Sequence, residues 1–419
     1  MSVLVSGGRI QVLGPTELYD PSPPEPGQEE SERIDGRGMT LIPGLVMLHE
    51  HMFYPSGQAR YNTNERSFPP LYLAGGVTTM RTGGSLDPYS DLRTRELIDA
   101  GTIVGPRMDV TGPYLEGPGG FVRSFPQLAT PEEARDHVDF WMDRGVTSFK
   151  AYNLITREVL KAAIDAAHAR GAKVTGHLCS VTYREAADLG IDNLEHGFFA
   201  ATDWVAGKEP DQCVRGADAS YLALDLDDRE FLDVVDHLIE KGVALTSTLT
   251  VVERRAPDRP MPPEGAQEAM LPELRDGVMT RLSRDRSENA AALLRRYMEM
   301  ERIFFERGGH LVVGTDPTGG GDVVPGYANQ RALQLLVETG LSVEEAVMVA
   351  TLSGARYLER DDEIGTIQSG KVADMVLLEG DPRRDLDAFR RMRLVFKDGV
   401  GYDSTALFEE GSTGWVGVR

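Results

Sequence analysis

The sequence predicts an α/β fold: a (β/α)8 barrel of the TIM type with a small β-sandwich domain formed from both chain termini. Three observations predict it. Eight strand-like segments alternate with helix-like ones, as parallel β/α units require. Residues able to bind or activate metal ions fall at the ends of several of these segments, where such a barrel points side chains into its mouth. The chain is 419 residues long, longer than the ~250 residues of a bare barrel by the size of a small domain. Residues 43–365 are expected to form the barrel, and residues 1–42 with 366–419 the small domain.

Along the chain, residues 2 to about 42 read as short strands broken by a Pro- and Glu-rich stretch, Asp20 to Glu30, that cannot hold a sheet interior. Strand candidates follow around 43–50, 76–81, 107–112, 146–151, 173–178, 192–197, 243–249 and 310–315. Helix signals lie between them. Thr130-Pro131-Glu132-Glu133 combines a capping box with proline at the first helical position, and Ser342-Val343-Glu344-Glu345 repeats the box. Phe231, Val234, Val235, Leu238 and Ile239 have helical apolar spacing, with Gly242 as a stop. Beyond about residue 365 the alternation gives way to short apolar runs, and Arg393 to Phe396 followed by Lys397-Asp398-Gly399 signals a hairpin.

Candidate chemistry sits at the strand ends. The apolar run Leu41 to Leu48 closes on His49-Glu50-His51. Side chains two apart in an extended chain share a face, so both imidazoles can reach one ion while Glu50 points away. Lys150, His177, His196 and Asp316 end four later strand candidates. A lone histidine on an apolar segment is more often a packed core residue, but four histidines, a lysine and an aspartate on five strand ends make a joint pattern. His137, His168 and His237 fall inside helical segments and His310 at the far end of its strand, so none is expected to be a ligand. A buried ion pair between Lys150 and Asp316 is the structural alternative for that lysine.

At these residues the chain resembles the amidohydrolase superfamily, and within it the imidazolonepropionase-like and metal-dependent prolidase-like members. Pro43 to His51 looks like that family's first barrel strand, Gly76-Val77-Thr78-Thr79-Met80-Arg81 like its second, and Gly365 to Val376 like its return into the small β domain. Two positions depart: the family commonly has acids where this chain has Met47 and Thr82. The resemblance implies two divalent ions, zinc being the expected metal, with His49, His51 and Asp316 on one, His177 and His196 on the other, and a carboxylated Lys150 bridging them. It further implies attack on an amide-type carbonyl by a metal-bridging hydroxide, with Asp316 as general base and then general acid. Expected substrates are N-acyl amino acids, dipeptides, cyclic amides or aryl ureas and carbamates. Two alternatives remain open: a mononuclear deaminase and a noncatalytic scaffold on the same fold. Family deaminases place a glutamate where this chain has Ser180, which weighs against the first; scaffolds usually lose ligands, which weighs against the second.

Substrate contacts are expected from loops after the strands, with Tyr152, Tyr54, Tyr114, Phe121 and Arg123 the candidates and Phe53 and the glycines after Thr318 beside them. Composition bounds the rest. With 44 basic against 66 acidic residues the net charge is −22, which disfavours nucleic-acid partners. No apolar run approaches the ~20 residues of a membrane span, and the first residues lack a basic stretch followed by an apolar core. Two cysteines cannot make a disulfide framework, so a reducing, cytoplasmic location is the simpler expectation, with Cys179 a small packing residue. A small-molecule substrate, no nucleic acid, no membrane and a possible homo-oligomer complete the expectations.

Overall fold

The computed structural model describes residues 2–16, 32–57, 60–120, 122, 124–214, 216–318, 322–412 and 416. The stretch Asp20 to Glu30 and the loop residues Phe121, Arg123 and Gly319 to Gly321 lie outside them. Strands from the N-terminal part are β1 (Ser2–Ser6), β2 (Arg9–Gly14), β3 (Met39–Pro43), β4 (Leu45–Glu50), β5 (Phe53–Gly57), β6 (Arg60–Thr63), β7 (Val77–Thr82) and β8 (Arg107–Asp109). They are followed by β9 (Ser148–Ala151), β10 (Lys173–Gly176), β11 (Asn193–Glu195), β12 (Ala244–Ser247) and β13 (Leu311–Val313). The C-terminal part adds β14 (Met375–Glu379), β15 (Met392–Lys397) and β16 (Val400–Asp403).

Each of the eight segments expected to be a parallel strand is one. β4, β7 and β8 form one parallel sheet and β9 to β13 another, each strand pairing with its successor in the series. Backbone hydrogen bonds also link the two sheets. On one side Thr147 N donates to Val110 O and Gly112 N to Ser148 O, both at 2.9 Å, and on the other Thr315 N and Asp316 N donate to His49 O at 3.1 and 3.0 Å. Strands β4, β7, β9 and β12 are buried along their whole length, as helices packed on the outer face of a parallel sheet require.

The interior is not wholly apolar. Arg81 on β7, 1% exposed, reaches four other strands. It donates to Leu48 O (2.7 Å) on β4, Ser148 Oγ (3.0 Å) on β9, Thr175 Oγ1 (2.9 Å) on β10 and Glu195 Oε1 (3.1 Å) on β11. A buried guanidinium is tolerable only when its donors are met, and here a charge and three neutral acceptors meet them.

Local signals behave as the sequence suggests. Thr130 and Glu133 cap helix Pro131–Met142 reciprocally, and Ser342 and Glu345 do the same for Val343–Met348, each cap contributing about 1 kcal/mol. Helix Arg229–Glu240 buries Phe231, Val234, Val235 and Leu238. The chain ends meet in one antiparallel sheet ordered β16-β15-β14-β3, beside the β1-β2 hairpin. Asp398 and Gly399 turn β15 into β16 with φ of 52° and 78°, the left-handed pair that matches strand twist in a two-residue hairpin.

One expectation is corrected. Cys179 and Cys213 are joined by a disulfide, so Cys179 is not a free packing thiol and the two cysteines no longer point to a reducing compartment. The sequence hid this because the partners lie 34 residues apart, on a loop after β10 and on a segment with no periodic pattern. No helix among the described residues is long and apolar enough to cross a membrane.

The fold also buries a carboxyl away from the strand ends. Asp91, near the start of helix Pro88–Asp99, accepts from Ser85 Oγ at 2.5 Å. Burial pushes it up to about 7, the charges of Asp87 and Glu65 adding to that and the Ser85 bond opposing it. The folded chain therefore holds a proton there that the unfolded chain releases near pH 4, and stability falls as pH rises from about 4 to 7, by at most ~4 kcal/mol. In Asp91→Asn this loss disappears, so the Tm difference between variant and wild type should move in favour of the variant from pH 4 to pH 8. A constant difference would show that Asp91 is ionised in the folded chain throughout.

Candidate metal centre

The strand-end residues converge. His49 ends the apolar run of β4 and His51 lies just past its end, both essentially buried. His51 Nε2 stands 3.2 Å from Asp316 Oδ1, His49 Nε2 lies 3.9 Å from the same oxygen, and His196 Nδ1 lies 3.8 Å from Asp316 Oδ2. The ring centroids of His49 and His196 are 4.6 Å apart, and those of His177 and His196 4.5 Å. Lys150 Nζ is 2.9 Å from His49 Nε2. All six residues singled out from the sequence are thus in one place. His49, His51 and Asp316 offer ligand atoms that lie within 4.8 Å of one another, a group able to hold a metal ion.

Three imidazoles are oriented by partners at Nδ1. His49 Nδ1 faces Glu195 Oε2 at 2.7 Å, His51 Nδ1 faces Gly84 O at 3.1 Å, and His196 Nδ1 faces Thr248 Oγ1 at 2.8 Å. The carboxylate and carbonyl acceptors at Nδ1 of His49 and His51 fix the proton there and leave Nε2 with a lone pair, the arrangement metal-ligating histidines adopt, while the Thr248 hydroxyl at His196 can donate or accept. His196 Nε2 is buried without a hydrogen-bond partner among the described residues. A buried polar atom left so is costly. A cation at this point would satisfy it, so the donor set fits a divalent ion.

Electrostatics prepares the same state. Burial pushes His51 down to about 4 and His177 to about 3, Lys150 adding to the effect on both, so these imidazoles are neutral and able to coordinate at neutral pH. Burial likewise pushes the Lys150 amine down to about 8, against the charges of Glu195 and Asp316 that favour the ammonium. Burial alone would raise Asp316, but the His51 hydrogen bond and the neighbouring imidazoles outweigh it and hold the carboxylate well below its usual range.

Backbone geometry marks the same spot. His196 (φ 68°) and Asp316 (φ 49°) both occupy the left-handed region, a conformation that costs a non-glycine residue free energy and clusters at functional sites. Two glycines make room for His49: a Cβ at Gly83 would lie 2.2 Å from its ring and one at Gly314 2.5 Å from its Cβ.

The sequence reading holds in part and misses in part. Glu50 does turn away, accepting from Thr315 Oγ1 (2.5 Å) and Asn329 Nδ2 (2.9 Å). Lys150 makes no ion pair with Asp316 among the described residues; its amine lies within hydrogen-bond distance of His49 Nε2. Tyr54 is buried in the core against Phe68 instead of lining the site, because it follows Phe53 on the opposite strand face. Tyr114 and Tyr152 do line the cavity, with ring centroids 5.2 Å apart and Tyr152 5.0 Å from His177. Met47 and Thr82 are both buried, Thr82 Oγ1 accepting from Thr111 N at 2.8 Å. His168 and His237 pair with Asp192 and Asp188 on helices, and His310 faces Ser353 O, all away from the centre.

Glu195 was missed. It receives both Arg81 and His49, and no local pattern links residues 114 and 146 positions apart. Removing Arg81 strands a buried carboxylate beside His49. Arg81→Met is therefore expected to lower unfolding free energy by about 3–5 kcal/mol in urea titration, whereas Arg93→Met, which breaks an exposed pair with Glu96, should cost under about 1 kcal/mol. Equal effects would refute a structural role for the Arg81–Glu195 pair.

The centre opens into a cavity of about 330 Å³, within the range of roughly 300–1,000 Å³ usual for small-molecule sites. Comparison with known proteins agrees with this architecture. The chain is 32% identical over 187 residues to an uncharacterized protein of Mycobacterium tuberculosis, covering 40% of this chain and 48% of that one. It is 35% identical over 81 residues to imidazolonepropionase of Clostridium tetani, 19% of this chain and 18% of that enzyme. It thus spans about half the length, or less, of these curated relatives. Among solved structures, a prolidase candidate from Bifidobacterium longum superposes with a TM-score of 0.67 at 27% identity, over 98% of this chain and 93% of that one. A bottromycin amidohydrolase reaches 0.69 at 21% identity over 97% and 83%, a likeness of fold. The Amidohydrolase family matches residues 40–409, and the chain belongs to that family.

Proposed function

We propose that this protein is a metal-dependent hydrolase of a C–N amide-type bond in a small molecule, such as an N-acyl amino acid, dipeptide, cyclic amide or aryl urea or carbamate. The observation that carries it is the gathering of His49, His51, His177 and His196 with Asp316 and Lys150, all but His49 lining one cavity, with acceptors at Nδ1 of His49 and His51 and with His196 Nε2 buried without a partner among the described residues. On this reading the two parallel sheets close as a (β/α)8 barrel over residues 43–365, and the two chain ends build a β-sandwich.

His49, His51 and Asp316 would hold one divalent ion and His177 and His196 a second. Imidazole and carboxylate donors suit zinc. Lys150 would join the two as a carbamate, and burial favours this because the neutral amine, not the ammonium, adds to carbon dioxide. When bound, such ions supply Lewis acidity and make water more acidic. The chain's own residues do the rest. Asp316, ionised at neutral pH and steadied by Thr318 Oγ1 at 2.8 Å, accepts the proton of the attacking water as it adds to the substrate carbonyl. The same carboxyl group then delivers that proton to the departing nitrogen, which leaves as a neutral amine.

Metal analysis of purified, metal-replete protein is expected to give about two ions per chain. One ion would favour the mononuclear deaminase alternative and none a noncatalytic scaffold. Asp316→Asn should lower kcat by about 100-fold or more, and Lys150→Ala should lose activity that bicarbonate with a short carboxylic acid partly restores. Unchanged turnover in Lys150→Ala would remove the bridging role.

A further inference from the structure

Resting on that reading, we propose that the site selects amides carrying a flat apolar group on one side of the scissile bond and a carboxylate on the other, with Arg255 as the residue that receives the carboxylate. The apolar half of the argument is the cavity wall. Phe53 follows β4, Tyr114 and Phe125 follow β8, and Tyr152 follows β9; all four line the cavity. Tyr114 and Phe125 are stacked at 3.9 Å between centroids, and Tyr152 meets both edge-on at 5.2 and 5.3 Å. Phe53 packs on the His51 ring at 4.7 Å. A ring bound among them gains offset and edge-to-face contacts in addition to area burial, about 0.5–1.5 kcal/mol per pair, whereas a methyl group cannot.

The charged half comes from the segment after β12, four places along the strand order from β8. Arg254 and Arg255 both line the cavity there. Arg254 is committed: it pairs with the buried Asp322, and its Nε donates to Val251 O at 2.7 Å. Arg255 is exposed and makes no ion pair or side-chain hydrogen bond among the described residues, although Asp218, Asp285 and Asp322 lie close enough to act on it. An open guanidinium matches a carboxylate with two parallel donors. In a chain of net charge −22 an anionic ligand is repelled on average, and an arginine without an ion-pair partner among the described residues at the cavity opposes that repulsion locally. The reacting groups, His51 and Asp316, line the same cavity as the aromatic wall and the arginine, and a molecule that reaches both walls lays its amide across them.

N-benzoylglycine has this shape, and N-benzoylglycinamide and N-acetylglycine each lack one feature. Zinc-replete enzyme is expected to hydrolyse N-benzoylglycine with kcat/KM at least about tenfold above either analogue. In Arg255→Gln the preference for carboxylate over carboxamide should shrink about tenfold, most of it in KM, while Arg255→Lys retains part of it. Calorimetric binding of N-benzoylglycine to Asp316→Asn protein, with and without Arg255→Gln, reads the same preference without turnover. Equal rates on all three amides, or a preference that survives Arg255→Gln, would overturn the inference while leaving amide hydrolysis standing. Selective, Arg255-dependent binding with no hydrolysis of any amide would do the reverse.

Discussion

The chain from Arg81 through Glu195 to His49 is the constraint on which the centre depends. Arg81 is deep inside the parallel sheets and ties β7 to four other strands, and its ion-pair partner among the described residues is Glu195. Glu195 in turn holds His49 Nδ1 at 2.7 Å and so directs Nε2 toward Lys150 and Asp316. Structural and chemical roles therefore fall on the same carboxylate. Burial would push Glu195 up, yet His49 and Arg81 hold it well below its usual range. A buried ion pair of this kind contributes little net stability, but breaking one member is costly, so the pair specifies geometry more than it adds free energy.

Around that axis the molecule separates rigid from adaptable parts. The candidate ligands stand on or just past strand ends, with two of them in left-handed backbone and with glycines clearing space for a third. Strain and close approach of this sort persist only where the surroundings over-determine the position. Tyr114, Phe125, Tyr152 and Arg255 of the cavity lie on connecting segments, where side chains can vary without disturbing the sheet. The candidate ligands and much of the cavity wall thus belong to different layers of one fold.

Much was legible in the sequence because it depends on short-range rules. Period and punctuation located all eight parallel strands and the capped helices, and the Asp398-Gly399 turn could be read from two residues, since only certain residue types tolerate its backbone. The six candidate ligands were legible because each closes a strand-like segment, and parallel strands that neighbour one another bring their ends together. Tyr54 was misplaced for a related reason: alternation along a strand puts Phe53 and Tyr54 on opposite faces, and the one facing the cavity is decided by where β5 sits.

The sequence by itself determined which segments are strands, that their ends carry imidazole, amine and carboxylate groups, and that acidic residues outnumber basic ones, because periodicity, residue chemistry and net charge are local or additive properties. Only the tertiary structure decided that Glu195 joins Arg81 to His49, that Cys179 meets Cys213, and that Arg255 lines the same cavity as the aromatic residues. Those pairings are set by how distant segments pack, and hydrogen bonds, disulfides and cavity walls depend on separation in space, which no spacing along the chain encodes.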